Sequence, residues 1–215
     1  MTFSLSHFLY LLQGTFWTIL LSIFGFLGGG ILGLTIALMR VSSVRFLRWI
    51  ATGYIEVLQG IPLPVLMFLS YFGLGITGFD VPALVAASLS IALNAAAFLG
   101  DIWRGCIEAV PKTQWEAADS LTLSPFRRMT DVILPQAVRL AIPPTIGFSV
   151  QIIKNTSYAV VIGFIELTQS GKIINNAIFE PFVVFTIVGA IYFLLCSPLS
   201  RASRRLEGRL RARGA

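Results

Sequence analysis

The stretch Phe16–Met39 reads FWTILLSIFGFLGGGILGLTIALM, 24 residues without a charge. As an α-helix it is about 36 Å long, enough to cross a hydrocarbon core of about 30 Å with some tilt. No basic segment precedes it and it is too long for a signal-peptide core, so it reads as a span of the working protein. The rest of the chain agrees. Of its 215 residues 56% are hydrophobic and 12% charged, and the mean hydropathy is +0.83. A soluble domain carries about 25% charged residues, and a disordered chain needs more charge and less hydrophobicity. The sequence predicts an all-α integral membrane protein, a polytopic transmembrane helical bundle, read as a single domain over residues 1–215.

Four further spans follow. The second, Trp49–Leu74, is interrupted by Gly60-Ile61-Pro62-Leu63-Pro64. Two prolines there remove backbone donors, which is tolerated where protein or a cavity satisfies the freed carbonyls. The third span is Val81–Trp103 and the fourth runs from Gln136 to Ile153, with Pro143-Pro144 inside it. Tyr158–Glu180 is mixed in character and reads as partly re-entrant or interfacial. The fifth span, Pro181–Leu199, is about 28 Å long as a helix.

The net charge is +6, from 16 Lys+Arg against 10 Asp+Glu. In a soluble protein that balance would suggest nucleic acid; here it records topology. Three arginines lie at 40–48, five basic residues at 104–139 and six arginines at 201–213. Basic loops are retained on the cytoplasmic side. The expectation is a multi-pass protein of the bacterial inner membrane with its N-terminus outside and its C-terminus cytoplasmic, which five spans satisfy.

Gly25, Gly29 and Gly33 share one helical face and read as a close-packing surface. No phosphate-binding glycine loop occurs. The only histidine is His7, which excludes HExxH zinc chemistry, and there is no GxSxG elbow. Cys106 and Cys196 have no metal-ligand spacing and read as packing residues. No catalytic residue and no metal site is expected.

The longest polar stretch, 104–139, contains Gln114-Trp115-Glu116-Ala117-Ala118-Asp119-Ser120-Leu121-Thr122, then nine residues, then Val132-Ile133-Leu134-Pro135. This resembles the EAA loop of ABC importer permeases, in which EAA is followed by three residues, Gly, nine residues and I-x-L-P. Thr122 stands at the glycine position, where a positive φ is easy for Gly and resisted by a β-branched residue. Tyr54-Ile55-Glu56-Val57-Leu58-Gln59-Gly60-Ile61-Pro62-Leu63 is similar to the Y-x-E-x-x-R-G-x-P-L segment of polar amino acid permeases, with Gln59 for Arg. Asp101-Ile102-Trp103-Arg104-Gly105 resembles their E-I-x-R-G. Leu134-Pro135-Gln136-Ala137 and Lys154-Asn155-Thr156-Ser157 resemble LPQA and KDTS, with Asn155 for Asp.

The resemblance to the histidine/glutamine/arginine/opine uptake family implies a type I ABC importer permease fold of the methionine/histidine kind. It implies a non-catalytic subunit that works by alternating access. Its partners would be ABC ATPase subunits holding ATP and Mg, a second permease (the same or another), and an extracytoplasmic solute-binding protein, with membrane lipid around it and no nucleic acid. A polar amino acid would be the substrate, and the chain itself would hold no cofactor. Trp115, Glu116, Ala117, Ala118, Leu121, Thr122 and Pro135 are implied as the ATPase-coupling residues. An amphipathic helix on the inner leaflet is the plainer reading of the same segment. The polar groups in or near spans, Glu56, Gln59, Asn94, Lys154, Asn155, Thr156 and Ser157, are candidates for the substrate pathway, since such groups usually face a cavity. Asp101 is expected to pair with Arg104 one turn on. The rival functions are a secondary transporter, which commonly shows inverted repeats not found here, and a membrane enzyme or scaffold binding anionic lipid.

Overall fold

The computed structural model describes residues 3–214, with side chains through Leu210. Arg211 and Arg213 of the basic tail lie outside the described side chains. Helix α1 (Leu5–Arg40) contains the whole first apolar stretch. Its start is set by Ser4, whose N–H donates to His7 Nδ1 at 3.1 Å. Helices α2 (Arg45–Gly60) and α3 (Leu63–Ile76) cover the stretch read as the second span and are bent by 99° at the predicted break. Pro62 cannot supply the N–H that Leu58 C=O would receive in a continuous helix. Asn94 supplies it instead, its Nδ2 donating to Leu58 O at 3.4 Å.

Helix α4 (Ala83–Glu108) is the most buried element, and its small residues explain why. Alanines at 86, 87, 92, 95, 96 and 97 are all buried, and those at 92, 95 and 96 receive the glycine face of α1. A Cβ on Gly29 would lie 2.6 Å from the Ala95 Cβ, and one on Gly25 2.3 Å from Ile91 Cγ2. The glycine row therefore works as a packing surface, as read from its spacing.

Helix α5 (Lys112–Ser120) follows in the long polar loop. A turn at Pro125–Arg127 and a π-helical stretch, Arg128–Ile133, then run into α6 (Leu134–Asn155). A 3₁₀ segment, Thr156–Ile162, extends α6 and ends at Gly163, where φ is +74°. Helix α7 (Leu167–Ile178) is bent by 51° from the preceding helix and occupies much of the mixed segment. Helix α8 (Pro181–Gly214) closes the chain. Three helices, α1, α4 and α8, are long and apolar enough to cross a membrane, and the count reaches five when each bent pair is one span. Among the described residues there is no strand.

The core has three parts. One joins α1, α3, α4 and α6 around Leu21, Met67, Ile91 and Ile152. A second joins α1, α7 and α8 around Leu11, Leu167 and Val184. The third lies under the polar loop and is built from Ile107, Val110, Ile133 and Ala137.

Candidate functional site

The polar loop is organised by the two faces of α5. Trp115 and Ala118, three residues apart, point inward: Trp115 packs on the third core cluster and Ala118 is 2% exposed. Glu116, Ala117 and Leu121 point outward, Leu121 with 71% of its surface free. The Arg128 guanidinium lies 5.5 Å above the Trp115 ring and also pairs with Asp119. The outward face is thus held in place by contacts on the inward one. Arg128 was not among the sequence candidates, because its role depends on the loop folding back on itself.

The end of α5 is closed on a left-handed residue. Thr122 has φ 52°, its N–H donates to Asp119 O at 2.9 Å, and Leu123 N–H donates to Ala118 O at 3.3 Å. This bond pair terminates helices where Gly usually follows the cap. The turn expected of a glycine is therefore made by a threonine, at a cost of roughly 1–2 kcal/mol. Ser124 then starts the next turn, its Oγ accepting from Arg127 N–H at 3.4 Å. Pro135 sits in the first turn of α6 and has no N–H for the carbonyl of Asp131, and the backbone just before it is π-helical. Gln136 ties α6 to α5, with Nε2 at 3.3 Å from Gln114 Oε1.

A second polar constellation lies behind the Pro62 break. A cavity of about 310 Å³ is lined by Gln59, Asn94, Gln151 and Asn155, with Phe98 and Phe148 between them. The two rings stack with centroids 5.5 Å apart. Gln59 Nε2 donates to Ala97 O at 3.5 Å, and Gln151 Nε2 to Asn155 Oδ1 at 3.0 Å. Of the seven pathway candidates, the fold brings Gln59, Asn94 and Asn155 together here. Glu56 and Lys154 are exposed and do not line the cavity, while Thr156 and Ser157 bond their own backbone at Ile153 O and Lys154 O. Gln151 was missed, although it lies one turn before Asn155 on α6.

Two further charged groups have structural partners. Arg104 bonds Asp101 at 3.0 Å as expected, and also Glu108 at 2.6 Å. Glu166, fully buried, was not singled out. It caps α7 through the Thr168 and Gln169 N–H groups, both at 2.9 Å, and accepts from Tyr192 Oη at 2.9 Å and Thr18 Oγ1 at 3.4 Å. One carboxylate so ties α1, α7 and α8 together. Among the described residues no group of His, Cys, Asp and Glu is placed to hold a metal ion.

Residues 29–212 match the family described as binding-protein-dependent transport system inner membrane component. The chain belongs to that family. The permease is 38% identical over 194 residues to the probable amino-acid ABC transporter permease protein YckA of Bacillus subtilis, covering 90% of this chain and 86% of that one. It superposes with TM-score 0.90 on a crystal structure of an amino acid ABC transporter with histidines, at 33% identity, covering 97% of this chain and all of the other. It shares its fold with the inward-facing MetNI methionine ABC transporter, at TM-score 0.74 and 18% identity over 95% and 99% of the two chains. The permease is therefore a non-catalytic membrane subunit of an ATP-driven importer, with the type I importer fold. Its family works with an ATPase and a binding protein.

Proposed function

We propose that this permease carries a polar amino acid or a closely related compound inward across the membrane. It would do so as one of two permeases, paired with a copy of itself or with a similar chain. The relatives named for amino acids support the substrate class. In this reading the N-terminus is outside, the C-terminus and the loop 104–139 are cytoplasmic, and two ATPase subunits carrying ATP and Mg dock below. An extracytoplasmic binding protein delivers the substrate from above.

The observation that carries the coupling part is the two-faced α5. A helix attached through Trp115 and Ala118 leaves Glu116, Ala117 and Leu121 free for a partner cleft. Leu121 supplies apolar area, Ala117 allows close backbone approach and Glu116 offers a charge. Thr122 fixes the exit angle of the chain, and Pro135 with the π-helical stretch before it connects the loop to α6. Closure of the ATPases would then displace α6, which lines the amide cavity with Gln151 and Asn155. We assign the substrate pathway to that cavity, with Gln59, Asn94 and Asn155 in contact and Glu56, Lys154, Thr156 and Ser157 along its approach.

The test is Ala117→Arg, scored by ATPase pull-down and amino-acid uptake at equal membrane abundance. A charge forced unpaired into an interface costs several kcal/mol, and each 1.4 kcal/mol is tenfold in affinity. Loss of both pull-down and uptake is expected. A helix lying on lipid would tolerate the added arginine, so undiminished association sinks the docking role. Reporters at Gly78 and at the C-terminus should read outside and cytoplasm; the reverse pattern contradicts the orientation.

A further inference from the structure

The cavity behind Pro62 contains four carboxamides and no ionisable group among its lining residues. The orientation of two of these amides follows from their partners. Leu58 O and Ala97 O are backbone carbonyls, which can only accept, so Asn94 and Gln59 must turn their NH₂ groups toward them. Their oxygens, Asn94 Oδ1 and Gln59 Oε1, are left for another donor. Gln59 lies just before the bend, and Asn94 reaches it from α4. Asn94 is only 6% exposed and Asn155 only 7%, while Gln59 and Gln151 are exposed, so a ligand here exchanges water for dipoles at the two asparagines.

From this lining we infer that the cavity selects amino acids of zero net charge with a polar, uncharged side chain, and rejects cationic and anionic ones. The inference rests on the assignment of this cavity to the substrate pathway made above. A zwitterion brings its own compensating charges; its ammonium can donate to Asn94 Oδ1 and Gln59 Oε1. A lysine- or arginine-type side chain adds a cation that must leave water, and no carboxylate lines the cavity to meet it. Desolvating a charge without a partner is the larger penalty, whereas an amide or hydroxyl is satisfied by one or two hydrogen bonds. The stacked Phe98 and Phe148 rings offer an apolar wall to the aliphatic part of such a substrate. The volume, about 310 Å³, leaves room for one amino acid and a few waters.

The experiment uses the intact permease–ATPase complex in nanodiscs, without binding protein, and measures binding of radiolabelled glutamine, arginine and glutamate by equilibrium dialysis. Glutamine should bind saturably and at least tenfold tighter than arginine or glutamate. Asn94→Asp should invert the order, raising arginine affinity at least tenfold and weakening glutamine. Gln59→Glu, at an exposed position, should shift the order the same way. If arginine or glutamate binds the unaltered complex as tightly as glutamine, and Gln59→Glu weakens both alike, the cavity is in the pathway but the charge selection is wrong. If no amino acid binds saturably, or if neither variant changes the order, the assignment of the cavity fails and the selectivity claim with it.

Discussion

The α5 loop and the amide cavity handle polarity in opposite ways. The loop lies among polar residues and turns its tryptophan inward, with Trp115 packed on Ile107, Val110 and Ile133, while Phe126 and the charges stay outside. The cavity lies among apolar helices and turns its amides inward. Their bonds also differ in reach. The turn after α5 is closed by neighbours, Thr122 to Asp119 and Arg128 to Asp119, and the longest bond within the loop, Gln136 to Gln114, spans 22 residues. The cavity wall is closed by Asn94 to Leu58 and Gln59 to Ala97, 36 and 38 residues apart. A local unit can move as a body while keeping its shape. A wall joined across helices changes shape when one of them shifts. That division suits a subunit in which one part receives a push and the other opens or closes.

The predictions begin where the long-range bonds are most concentrated. Glu166→Ala removes a buried cap that four donors share, and should cost about 3 kcal/mol, read as a lowered unfolding temperature in detergent. An unchanged temperature would mean that α7 is held by packing alone. Gly29→Leu forces a side chain against Ala95 and should cost about 2 kcal/mol by the same measurement. Asn94→Leu keeps the branched shape but leaves Leu58 O without its donor, a loss of about 1–2 kcal/mol.

The local unit should respond more weakly. Arg128→Ala loses a cation–π contact and a partly exposed ion pair, together about 1 kcal/mol, and should loosen α5 as seen by faster amide exchange there. Thr122→Gly removes the strain of a left-handed threonine and should slow exchange at the end of α5, stabilising the turn by about 1 kcal/mol. Faster exchange in that variant would show that the threonine side chain is needed for the turn.

Much of this was legible in the chain itself, and the exceptions share a cause. The spans and the break at Pro62 follow from runs and prolines, both short-range signals, and the turn after α5 from the resemblance to the EAA loop. The left-handed Thr122 was marked by its position alone. Which face of α5 points outward was not legible, because Trp115 is turned inward by Ile107 and Ile133, residues on other elements. Glu166 was passed over for the same reason, its partners Thr18 and Tyr192 lying on α1 and α8. Gln151, by contrast, pairs with Asn155 one turn on and shows its role only through the cavity it shares with α2 and α4. A polar residue in an apolar stretch announces a cost, but its partner becomes visible only when α1, α4 and α8 are in place.

The most direct test of the two-faced loop is site-specific photocrosslinking in membranes that contain the whole importer. With the native cysteines replaced, benzophenone maleimide is attached to Leu121→Cys and, in parallel, to Trp115→Cys. The account predicts strong crosslinks from position 121 to the ATPase, and crosslinks from position 115 within the permease itself. Crosslinks to the ATPase from position 115 but none from position 121 would contradict it.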